Sequence, residues 1–115
     1  MGVPDRRVWR AAALFAATGL ASFGSAAFAA GSGSGTVAGV NVEGASGKFS
    51  TTAHPGAPAC AATGRWAVDV STPQGQSLWS AVLLAYSQNK PVTIGGTGTC
   101  SVWGDSETVA WIQLQ

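Results

Sequence analysis

The chain has 115 residues, a formal net charge of +1 at pH 7 and only 10% charged residues. That length bounds it to one small domain, and the absence of a basic surplus excludes a charge-driven grip on nucleic acid or an anionic membrane. Two cysteines and one histidine fall short of a zinc site, and Cys60 and Cys100 lie too far apart for a CxxC redox motif.

The chain opens as an export signal. Arg6, Arg7 and Arg10 are basic, residues 11–20 form a short apolar run, and Ala27-Phe28-Ala29 is a small-x-small cleavage site. The run is shorter than the roughly 20 apolar residues of a membrane span. Residues 1–29 are therefore expected to be a signal peptide, with cuts after Ala26, Ala27 or Ala30 as alternatives. An ordinary secretory signal fits better than twin-arginine export, because Asp5-Arg6-Arg7-Val8-Trp9 is a poor match to the latter. The remainder is expected to be secreted or periplasmic. It sets Lys48, Arg65 and Lys90 against Glu43, Asp69, Asp105 and Glu107, one net negative charge.

A domain this small buries only about 60% of its unfolded surface, so it calls for a staple or an oligomer. In an exported chain Cys60 and Cys100 read as a structural disulfide. Closing a loop of about 40 residues contributes roughly 3 to 4 kcal/mol in the chain-entropy model.

Residues 30–35, rich in Gly and Ser, read as a flexible lead-in, and residues 36–115 as a single domain. Residues 36–42 and 48–52 are expected strands joined by a turn at 43–47, a hairpin. His54-Pro55-Gly56-Ala57-Pro58 marks a loop, with His54 a plain surface histidine. Residues 65–71 alternate as a strand, with Trp66, Val68 and Val70 on one face and Arg65, Ala67 and Asp69 on the other.

A helix follows over about residues 73–87. Either Ser71 caps it, with Gln74 completing a capping box, or Thr72 caps it with Pro73 in the first helical position and no box. Asn89 and Pro91 end it. Leu78, Val82, Ala85 and Tyr86 form one stripe, Trp79 and Leu83 widen it, and Leu84 lies on the other side. That is more apolar surface than one buried face requires, so the helix is either wrapped by the sheet or meets a partner.

Beyond it, residues 92–94 form a strand, Gly95-Gly96 a break, residues 97–103 another strand, Gly104-Asp105 a turn, and residues 108–114 the last strand. Val109 and Trp111 are expected on one face of that strand, and Ala110, Ile112 and Leu114 on the other.

Catalytic chemistry is not expected. His54 has no nucleophile to activate and no nucleophile-elbow pattern exists; Gly47-Lys48 fails as a phosphate loop because Val42 stands where its first glycine belongs. No cofactor or metal is implied. Trp66 and Trp79 read as core. The candidate ligand contacts are Trp103, the tryptophan expected to be most exposed, with Asp105 and Glu107 alternating behind the turn, although turn chemistry alone also explains the two carboxylates.

The order of Cys60, a strand bearing Trp66, the helix start Ser71-Thr72-Pro73, a Leu-rich helix ending in Ala85-Tyr86, the strand Val92-Thr93-Ile94 and Cys100 resembles the B subunit of subtilase cytotoxin and related pertussis-like toxin subunits. The resemblance spans residues 60–114. It implies an α+β fold, a small antiparallel OB-like barrel or sheet with one α-helix, assembled as a ring pentamer that binds sialylated glycans. That family's sugar contacts draw on the N-terminal half, so no sugar-binding residue carries over; Ser50, Thr51 and Thr52 are places to look. The expected function is a secreted, non-enzymatic, homo-oligomeric module binding a cell-surface glycan, with no nucleic-acid partner and no membrane insertion. The alternative is a secreted structural or protein-interaction domain without sugar affinity.

Overall fold

Among the described residues, alternating short apolar runs broken by Gly and Pro build five strands and one helix. The computed structural model describes residues 30–115, and the expected signal peptide, residues 1–29, lies outside the described residues. The elements are β1 (Ser32–Glu43), β2 (Ser46–Ala53), β3 (Arg65–Asp69), α1 (Pro73–Gln88), β4 (Val92–Gly96) and β5 (Ser106–Leu114). The strands run β1-β2-β3-β5-β4, and β4 pairs back onto β1 to close a barrel. Every pairing is antiparallel except β3 with β5. A parallel pair needs a crossover connection, and α1 with β4 supplies it. This is the expected α+β, OB-like arrangement with one helix.

The N-terminal expectation needs correction. Residues 32–35 are not a flexible lead-in but the start of β1, paired with residues 92–95 of β4. Gly-rich composition reads as a linker, yet here smallness serves packing. A Cβ at Gly33 would stand 2.7 Å from Trp66 Cζ2, so only glycine lets the strand pass over that indole.

Of the two possible helix starts, Thr72 is the cap. Its hydroxyl accepts from Gly75 N–H at 3.0 Å, Pro73 opens the helix, and the capping box is not formed. Asn89 closes α1 in the left-handed conformation. The buried face comprises Gly75, Trp79, Val82 and Ala85. Tyr86, expected in that stripe, is exposed together with Leu83 and Leu84, because the barrel seats only one narrow side of the helix.

The core gathers Val37, Phe49, Trp66, Val68, Trp79, Val82, Ala85, Val92, Ile94 and Val109. Trp66 and Trp79 are core as expected, and Phe49 meets Trp79 with ring centroids 6.2 Å apart. The strand expected over residues 97–103 is instead a loop whose one ladder contact is the bridge from Trp103 to Ser106. It folds back on β5: Thr97 N–H donates to Thr108 O and Thr108 N–H to Thr99 O, both at 2.9 Å. The Cys60–Cys100 disulfide, spanning 40 residues with Cα atoms 6.1 Å apart, ties this loop to the one between β2 and β3.

Candidate functional site

In β5, Val109 pairs with Gly96 and Trp111 with Gly95, so Ala110 is one residue too many for the ladder. Side chains alternate with period two, and a single extra residue resets that alternation. Val109 therefore enters the core, Trp111 turns outward, and Ile112 and Leu114 pack inward again. The expectation that Trp111 shares the face of Val109 fails on this bulge.

Outside, Trp111 is 49% exposed. Its indole lies over Gly95, where a Cβ would overlap Nε1 and Cε2. The pairings across β1, β4 and β5 set Ser32, Gly95 and Trp111 in one outward row and Ser34, Thr93 and Gln113 in the next. The intervening rows face the core through Ile94 and Val92. Two residues of strand separate the outward rows, about 6.6 Å. Ser32, Ser34 and Gln113 are exposed, Thr93 is partly so, and Gln115 Nε2 donates to Thr93 Oγ1.

The result is a plateau of one indole, three hydroxyls and one amide, with no ionisable side chain in either row. An indole face covers the C–H face of a sugar ring, while hydroxyl and amide groups both donate to and accept from sugar hydroxyls. Residues this far apart in the chain gave no local signal; only the register brings them together.

The sequence-expected contacts are placed elsewhere. Trp103 is partly buried and stacks on Lys48, with Nζ 3.5 Å from the ring centroid. Lys48 is 5% exposed and pairs with Glu43 at 2.9 Å. Trp103 thus packs on Lys48 of β2, one of the two strands whose face takes oligonucleotides and oligosaccharides in OB barrels. Asp105 Oδ1 accepts from Ser106 Oγ at 2.9 Å, and its carbonyl accepts from Thr63 Oγ1 at 2.8 Å.

Glu107 has no solvent exposure and cannot meet a ligand. It pairs with Trp66 of β3 in register and so shares that residue's inward face. Its Oε2 accepts from Gly31 N–H at 2.9 Å and Gly98 N–H at 2.8 Å, and its Oε1 lies 2.7 Å from His54 Nε2. His54 is correspondingly not a surface histidine: its side chain is 7% exposed and stacks on Trp66 at 3.7 Å. The hydroxyls of Ser50, Thr51 and Thr52 are engaged within the sheet, with Ala38 O, with Trp66 Nε1 and Ala53 O, and with Thr36 N–H respectively.

A cleft of about 160 Å³ lies between α1 and the sheet, lined by Val68, Leu78, Val102 and Val109 with Asp69 and Thr72 at its polar side. Hydrogen bonds from the Ser71 hydroxyl and N–H hold the Asp69 carboxyl below its ordinary value. Among the described residues no three His, Cys, Asp or Glu side chains are grouped to hold a metal ion, and no helix is long and apolar enough to cross a membrane. Comparison with known proteins finds no matching family model, curated protein or solved structure.

Proposed function

We propose that this chain is an exported, non-enzymatic module that binds a saccharide on the outer face of β1, β4 and β5, with Trp111 as the stacking platform. The observation that carries this reading is the half-exposed indole of Trp111, seated on Gly95 beside the row Ser34, Thr93 and Gln113. Further support comes from the OB-like topology, an architecture that accommodates oligosaccharides, and from the resemblance to pertussis-like toxin B subunits over residues 60–114. The disulfide suits an oxidising compartment outside the cytoplasm.

One ring on an open plateau binds weakly, with a Kd on the order of 1 mM. Assembly into a homo-oligomer multiplies such sites into useful avidity. The exposed Leu83, Leu84 and Tyr86 of α1 favour assembly, and they equally favour the second reading, a protein-interaction domain without sugar affinity.

Glycan-array binding of the processed protein, with its mass determined by light scattering, tests the proposal. Binding that disappears in Trp111→Ala supports it. A folded protein that binds no glycan, on the array or at millimolar concentration by NMR, rejects it in favour of the second reading.

A further inference from the structure

We infer that the Trp111 plateau selects uncharged sugars, so that a sialic acid adds nothing to recognition. This rests on the saccharide reading above and departs from the ligand class that the toxin resemblance implies. A glycan carboxylate leaves water at a cost that only a cation or several well-aimed donors offset. The backbone N–H groups of β4 are committed to the barrel ladder, and neither outward row carries a cation.

The basic side chains outside the signal segment are Lys48, Arg65 and Lys90. Lys48 is covered by Trp103 and paired with Glu43. Arg65 pairs in register with Ser106, five residues before Trp111 in β5, a distance of about 16 Å along a strand. Its guanidinium donates to Gly39 O and to Asn41 Oδ1 on the outer side of β1. Lys90 stands before β4, three residues from Thr93 and five from Gly95, at most about 16 Å of extended chain from the seat of the indole. A sugar ring centred on Trp111 therefore finds stacking and neutral hydrogen bonds only. Gln113 suits this task, since its amide both donates and accepts.

The test uses matched pairs that differ by one sialic acid, such as lactose and 3′-sialyllactose, and the corresponding neutral and sialylated pairs on an array. Titration of the isotope-labelled processed protein follows the Trp111 indole N–H and the amides of residues 93–95 and 111–113. The expected result is shifts with neutral glycans, Kd values within about twofold between members of a pair, and no weakening between 50 and 500 mM salt, since an ion pair in water is screened over that range. Trp111→Ala should weaken binding at least tenfold, Trp111→Phe should retain most of it, and Gly95→Ala, which displaces the indole from its seat, should also weaken it. Unchanged thermal unfolding shows that these variants remain folded.

Binding confined to sialylated members, or tenfold tighter for them and sensitive to salt, overturns the neutral-sugar inference and leaves the saccharide reading standing. Neutral binding that survives both Trp111→Ala and Gly95→Ala overturns the assignment of the plateau. Binding to no glycan of either kind removes the saccharide reading itself.

Discussion

Nε2 of His54 lies 2.7 Å from Oε1 of Glu107, whose side chain has no solvent exposure at all. Nδ1 of the same ring is 2.8 Å from Gly64 O, and because a carbonyl only accepts, Nδ1 carries a proton. Oε2 of Glu107 already accepts two backbone N–H groups, so the remaining proton sits between Nε2 and Oε1. One carboxylate thereby joins the start of β1, the loop before β3 and the loop after β4.

Removing one partner of such a buried pair costs about 3 to 5 kcal/mol. Glu107→Ala is expected to destabilise by that amount. Glu107→Gln should cost only about 1 to 2 kcal/mol, since its amide oxygen still accepts from Gly31 and Gly98 and its NH₂ donates to a neutral His54. Denaturant unfolding of the two variants measures the gap; equal losses would contradict this account of the network.

Trp103→Ala should leave glycan binding unchanged while lowering stability by about 1 to 2 kcal/mol. The indole lies on the ammonium of Lys48, an interaction worth about 0.5 to 2 kcal/mol. Denaturation midpoints and glycan titration of the same variant check both halves.

Deleting Ala110 should be tolerated. The shortened strand reads Val109, Trp111, Ile112, Gln113, Leu114, which alternates inward and outward with no bulge and keeps the indole opposite Gly95. Folding with stability within about 2 kcal/mol of the parent is expected, on the scale of typical single changes. Tryptophan emission should keep its solvent-exposed component. A deletion variant whose tryptophans are all buried would contradict the register that sets Trp111 opposite Gly95.

Asp69 sets part of the acid limb. Hydrogen bonds from the Ser71 hydroxyl and then its N–H favour the ionised carboxylate and hold its pKa below the ordinary 3.8. The folded value is depressed, so the stabilisation is fully present above pH 3.8 and is lost as pH falls through the lower folded value. Asp69→Asn should flatten the fall of the thermal midpoint below about pH 4 and leave its slope at neutral pH unchanged, read from melts across an acid series.

Much of the fold was legible where the signal is local. The hairpin of β1 and β2, the alternation of Trp66 and Val68 in β3, and the end of α1 at Asn89 to Pro91 follow from short-range chemistry, which left the start of α1 open between Ser71 and Thr72. The site was not legible. Trp103 stands beside Gly104-Asp105 and looks exposed, but the returning loop lays it on Lys48. Trp111 follows an apolar alternation that looks buried, but Ala110 shifts it outward. His54 and Glu107 are 53 residues apart, and neither position betrays the other.

The sequence by itself determined most of the strand segments, the extent of α1, the α+β class, the closing Asn89 of α1 and the two cysteines available to staple the chain. Those properties depend on neighbours within about one turn or one strand, where propensity and hydrogen-bond chemistry decide. Only the tertiary structure decided which residues face water. Closing the barrel brought Gly33 against Trp66 and Gly95 under Trp111, and it sealed Glu107 against His54 and two backbone amides. Exposure in a barrel is a property of register between distant strands, and one bulged residue reverses it for every residue that follows.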